Sequence, residues 1–160
     1  RSLSRNCKKC APELRSCQKG ELITLAEVPG SSNSAHGIND KGHIVGCYTG
    51  TFTKTCFLVK DKLVTNFTCP GADFMEASGI NNADQIVGRC NARLPYVGFL
   101  VSNVAVNPDF KFFIPPSNDK DIGMHITGIN DHEDIVGYLQ ESIEKTRFPR
   151  SFSFKAKLIN

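Results

Sequence analysis

The stretch GINDKGHIVG, from Gly37 to Gly46, returns as GINNADQIVG from Gly79 to Gly88 and as GINDHEDIVG from Gly128 to Gly137. Three copies of one ten-residue string, spaced by 42 and then 49 residues, mark an array of small units, each too small to bury its own apolar face. Other marks recur around it. CFLV from Cys56 and GFLV from Gly98 each place a Phe twenty residues beyond the leading Gly, and SFSF from Ser151 arrives four residues late in the third copy. LITLAEVPG from Leu22, LVTNFTCPG from Leu63 and FKFFIPPSN from Phe110 carry Pro29, Pro70 and Pro115 near their ends.

Within a repeat the order is an extended piece into Gly-Ile-Asn, a polar turn, Ile-Val-Gly, a loop, Phe-Leu-Val, a second loop and Leu-Val-Thr-Asn-Phe. Short apolar runs between turn residues read as strands, four to a repeat and about twelve in all. No long stretch keeps a helical apolar spacing free of Gly or Pro, and the nearest candidate, residues 7–19, contains Pro12. The expectation is an all-β chain: a basic Cys-rich segment at 1–20, then a β domain at 21–160 with repeats near 21–61, 62–107 and 108–160. Ile44, Val45, Ile86, Val87, Ile135, Val136, Phe57, Phe99 and Phe152 are the expected buried residues.

Asn39, Asn81 and Asn130 are the expected turn residues, because a short amide side chain bonds nearby backbone N–H groups and tolerates turn conformations. The functional alternative is a calcium loop using these with Asp40, Asn82, Asp84, Asp131 and Asp134, although no copy has the regular D-x-D-x-D-G spacing. Gly46, Gly88 and Gly137 read as close backbone approach or bulges, since no helix follows to make a phosphate cradle.

The register of the third repeat bears on assembly. Aligned without gaps, SFSFKAKLI from Ser151 matches CFLVKDKLV from Cys56, so the third repeat stops as its fourth strand begins. A strand at 21–28, ahead of the first repeat, is then free to supply it, within the chain or to a neighbour, covering edges that would otherwise template aggregation.

The string GINDxGxIVG, followed by the Phe strand and a strand ending near Pro-Gly, resembles the extracellular HAF-type repeats over about residues 20–160. The family's usual Ala-Phe-Leu-Trp stands here as Cys-Phe-Leu-Val, Gly-Phe-Leu-Val and Ser-Phe-Ser-Phe. The resemblance implies an extracellular set of four-stranded, β-propeller-like blades with no established chemistry. Propellers usually close with four to eight blades, so three require closure by the N-terminal strand, by a six-bladed dimer or by a chain of protomers. A β-trefoil is the alternative for three repeats of four strands.

The 160 residues are 40% hydrophobic and 22% charged, enough for one ordinary domain. The formal charge is +3, but residues 1–20 hold six basic side chains against Glu13, leaving 13 basic and 15 acidic beyond them. A basic body able to grip nucleic acid is therefore not expected, and no apolar run is long enough to cross a bilayer. Seven cysteines favour an extracellular or cell-surface location. Cys7, Cys10, Cys17, Cys47, Cys56, Cys69 and Cys90 are all disulfide candidates, with Cys47 and Cys56 opposed across a hairpin; the odd count leaves one free or bonded elsewhere. Zinc thiolates at Cys7, Cys10 and Cys17 are the alternative, without an evident fourth ligand. Asn66-Phe67-Thr68 meets the N-glycosylation pattern.

Nucleophile-elbow, zincin, Walker and dinucleotide-fold strings are absent. His36, His43, His125 and His132 occupy unlike positions around the turns and read as exposed turn residues. Tyr48 and Tyr138 are near-equivalent and Tyr96 is not, a weak basis for sugar stacking. The expectation is a secreted, non-catalytic structural or interaction protein without cofactor or metal, self-assembling through N-terminal strand donation. A carbohydrate- or protein-binding module, with a glycan as partner, is the alternative, and an enzyme ranks third.

Overall fold

A computed structural model describes residues 32–49, 54–92, 96–114, 122–141 and 150–155. They form three separate antiparallel sheets and no helix among the described residues. The first sheet runs β1 (Ser32–Ile38), β2 (Ile44–Thr49), β3 (Lys54–Lys60) and β4 (Leu63–Phe67), neighbours in space in that order. The second repeats it with β5 (Met75–Ile80), β6 (Ile86–Cys90), β7 (Val97–Ser102) and β8 (Asp109–Phe113). The third pairs β9 (Ile122–Ile129), β10 (Asp134–Glu141) and β11 (Arg150–Lys155). The sheets are phased one strand later than the bounds 21–61, 62–107 and 108–160, because Leu63–Phe67 pairs with the Phe57 strand before it. No strand pairs across two sheets among the described residues, and these residues close neither a barrel nor a propeller. The segment 21–28 and Cys7, Cys10 and Cys17 lie outside the described residues.

The glycines of the repeated string follow from one backbone device. In every sheet the first strand carries a bulge one residue before Gly-Ile-Asn, at His36, Ser78 and Thr127, where the register with the second strand shifts. A bulge swings the chain toward its partner. A Cβ on Gly46 would lie 2.9 Å from Ala35 Cα and 2.6 Å from the Phe57 ring, and one on Gly88 would lie 2.9 Å from Ala77 Cα. Only glycine fits there.

The sheets meet through their first strands. A Cβ on Gly37 would sit 3.3 Å from Gly79 Cα, and one on Gly79 would sit 3.3 Å from Gly128 Cα, so bare backbone packs on bare backbone. Two apolar cores fill these joints. One joins the first and second sheets around Val45, Leu58, Ile80, Ile86 and Phe99, and the other joins the second and third around Val87, Leu100, Ile126 and Ile135. Val45, Phe57, Ile86, Val87, Phe99 and Ile135 are buried, as the strand pattern requires. Ile44 is half-buried, and Val136 corrects the expectation by being 45% exposed. Val136 corresponds to Val45 and Val87 but lies on a sheet with no successor among the described residues. The side chain of Phe152 lies outside those described.

Two disulfides reinforce the sheets. Cys47 and Cys56 are direct partners on β2 and β3, and Cys69, between β4 and β5, is bonded to Cys90 at the end of β6.

Candidate functional site

Each sheet has an end carrying the Asn turn and an opposite end, and the two differ in chemistry. At the turn end the Asn oxygen accepts two backbone N–H groups, from Lys41 and His43 for Asn39, Ala83 and Gln85 for Asn81, and His132 and Asp134 for Asn130. The bonds of 2.9–3.1 Å direct those oxygens inward, away from the outward cage a calcium ion would need. No group of carboxylate, His or Cys residues among those described could hold a metal. The residue three places beyond each Asn has a positive φ, as Gly42 (76°), Asp84 (59°) and Glu133 (62°).

The Asn side chains also tie one sheet to the next. Asn39 Nδ2 donates to the Asn81 carbonyl at 3.0 Å, and Asn81 Nδ2 to the Asn130 carbonyl at 3.2 Å. Beside them the Asn82 amide bridges two carboxylates, donating to Asp40 Oδ2 at 2.7 Å and Asp131 Oδ2 at 2.6 Å. Asp84 is the ionic centre of the first joint, accepting from His43 Nδ1 at 2.6 Å and Lys60 Nζ at 2.9 Å. Burial pushes its carboxyl up, but the hydrogen bonds and charges of His43 and Lys60 outweigh that and hold it below the ordinary range.

At the opposite end the same frame carries different residues in each repeat. The cross-strand pairs in equivalent places are Ser34 with Cys47, Glu76 with Arg89, and His125 with Tyr138. The last two pairs meet at a pocket of about 250 Å³ between the second and third sheets, where Ser78 and Thr127 also contribute. Arg89 binds Glu76 Oε2 through Nε at 2.9 Å and Nη2 at 2.7 Å, and its Nη1 donates to the His125 imidazole, 2.6 Å from Nδ1. Tyr138 stacks on His125 with ring centroids 4.6 Å apart, Tyr96 meets it edge-on at 6.1 Å, and the Arg89 guanidinium lies 5.3 Å over the Tyr96 ring.

Burial first, and the Arg89 charge second, push His125 down to about 4. It is therefore a neutral acceptor at pH 7, already used by Arg89. Glu76 is pushed up by burial, yet its bonds to Arg89, with the charges of Arg89 and Lys54, hold it below its usual value. No buried side-chain nitrogen or oxygen among the described residues lacks a partner. Acid, base and cation thus satisfy one another. Nearby, Ser34 Oγ donates to His36 Nε2 at 2.7 Å while His36 Nδ1 donates to the Ala77 carbonyl at 2.6 Å. That order resembles a nucleophile with its oriented base, but both residues are exposed and neither lines the pocket.

The four histidines do not behave alike. His132 is an exposed turn residue, whereas His43 and His125 are buried, 6% and 5% exposed. Both correct the expectation of exposed turn histidines, because each finds a partner on a neighbouring sheet, Asp84 or Arg89, that sequence spacing does not reveal. Nothing in the shared string points to Glu76, Arg89 and His125. The available signal was the alignment outward from the three glycines, which sets Ser34, Glu76 and His125 in one column and Cys47, Arg89 and Tyr138 in another. Asn66 is exposed on β4.

Neither a family model, nor a curated protein, nor a solved structure matches this chain.

Proposed function

We propose that this protein is a secreted, non-catalytic structural or interaction protein that assembles with copies of itself, its sheets acting as propeller-like blades. One observation carries the reading. Ile80 is 7% exposed where it meets the sheet before it, whereas its equivalent Ile38, with no sheet before it among those described, is 67% exposed. Val45 and Val87 are 0% exposed beneath the following sheet, and Val136 is 45% exposed. Exposed apolar residues at places a repeat otherwise buries point to association. The two disulfides are compatible with an extracellular setting, and the GIND and IVG strings support the same location. Residues 21–28, outside the described residues, are the segment proposed from its sequence to pair with the third sheet, within the chain or from a neighbour. Sedimentation of the oxidised full chain over a wide concentration range tests this. A concentration-dependent oligomer is expected, and its loss on deleting residues 1–28 would identify donation to a neighbour; a monomer throughout would refute self-assembly.

A second reading, a glycan-binding module, is favoured by the half-buried Tyr138 ring beside Arg89 and Glu76 at the pocket, since sugar rings stack on aromatic faces. Protein-detected NMR titration with neutral oligosaccharides should move His125 and Tyr138 resonances, and unmoved spectra at millimolar ligand would dismiss it.

A further inference from the structure

The two ends of the sheet stack are the two halves of a joint that the chain itself makes twice. We infer that the face of the third sheet around Val136 receives the β1 face around Ile38 of a second copy, head to tail, reproducing the internal joints. This rests on the self-assembly reading but names a surface distinct from the donated strand, because sheet faces rather than a sheet edge meet.

The correspondence holds at three places. Gly37 and Gly79 each have the next glycine's Cα 3.3 Å from where a Cβ would be, whereas among the described residues a Cβ on Gly128 would meet only Val136 of its own sheet. That place is open to Gly37 of another copy. Val136 offers the apolar surface that Val45 and Val87 bury inside the molecule, and Ile38 is the matching residue that Ile80 buries. Asn39 and Asn81 each send an amide hydrogen to the next sheet's Asn carbonyl. Asn130 Nδ2 bonds Asp134 of its own turn at 3.1 Å, and one N–H remains to meet the Asn39 carbonyl of a second copy.

The fourth place differs, and it supplies a specific test. Along the row Asp40, Asn82 and Asp131, the backbone N–H of one residue donates to the side-chain oxygen of the next, and the Asn82 amide separates the two carboxylates. In the joint between copies, Asp131 would meet Asp40 with no amide between them, and like charges weaken the contact. Asp40→Asn restores the amide, so this variant is expected to associate more tightly. Two copies joined at both ends hold six sheets, within the usual propeller range, and leave no open face.

The test uses the oxidised full chain and sedimentation. Wild type should form a dimer with increasing concentration, and Asp40→Asn should do so at about a hundredfold lower concentration, because the closed dimer contains the joint twice and each copy of it gains one charge-assisted hydrogen bond of about tenfold. Ile38→Asp or Val136→Asp should each weaken association by about a hundredfold or more, with unchanged melting temperature because both positions are exposed. An equimolar mixture of those two variants should recover a heterodimer, since one intact joint forms from the unmutated face of each. If the single variants dimerise like wild type, self-assembly stands but this joint is wrong. If both are monomeric and their mixture stays monomeric, the contact is not head to tail. If wild type and Asp40→Asn remain monomeric at every concentration, the joint and the self-assembly reading both fall.

Discussion

The same strands run from one end where the three repeats agree to another where they do not. At the agreeing end, Asn39, Asn81 and Asn130 make the same pair of turn bonds, and the glycines leave room for a bulge and for the next sheet. At the other, one cross-strand position holds Ser34 with Cys47, Glu76 with Arg89, and His125 with Tyr138. Agreement tracks the needs of the backbone, whose N–H groups must be satisfied and whose close approaches admit no Cβ. Variation marks where side chains are free of those needs and the protein acquires individual chemistry.

The strongest way to break this contrast is Gly88→Ala. Its Cβ would collide with the β5 backbone at Glu76 and Ala77, and a loss of about 3 kcal/mol or more is expected by urea denaturation. A loss below about 1 kcal/mol would show that the bulge yields. Next is pH. His125 stays neutral in the fold to about pH 4, while in the unfolded chain it takes a proton near 6.5. Its contribution is fully present above that upper value and is lost as pH falls through the window toward 4. It amounts to at most about 3 kcal/mol. Urea curves for wild type and His125→Gln should diverge above pH 6.5 and converge toward pH 4; parallel curves would contradict the assignment.

Asn81→Ala and Asn130→Ala sharpen the comparison. Asn81 is 3% exposed and ties two sheets, whereas Asn130 is exposed. Losses of about 2 and about 1 kcal/mol are expected, and equal losses would mean the inter-sheet bond contributes nothing. The smallest effect is expected for Lys62→Gly in the β3–β4 turn. Asp61 and Lys62 have φ of 50° and 65°, so glycine should raise stability by up to about 1 kcal/mol. A fall in melting temperature would count against it.

Most of the architecture was legible because its causes are local. Short apolar runs, Asn turns and obligatory glycines impose strands and reversals on any chain that carries them, and the hairpin spacing opposes Cys47 to Cys56. The bonding of Cys69 to Cys90 was less accessible, since it links the β4–β5 connection to β6 across 21 residues. The polar cluster was hidden for a different reason. Its members come from different repeats, and a search for what repeats share passes over what makes them differ. Its string places Val136 in the core, yet a string records a residue's equivalents without recording whether another sheet lies above it.

The all-β class, the threefold repetition and the turns follow from the sequence, because these depend on neighbours in the chain and on backbone sterics, whereas the phase of the sheets follows from Leu63–Phe67 pairing with the Phe57 strand. Packing between distant segments sets which sheet covers which, and hence that His43 finds Asp84, that Arg89 lies between Glu76 and His125, and that Ile38 and Val136 are exposed while Ile80 and Val87 are buried. Burial and charge pairing belong to groups brought together from distant segments, and the same residue in the same string has a different environment at the end of a stack than within it.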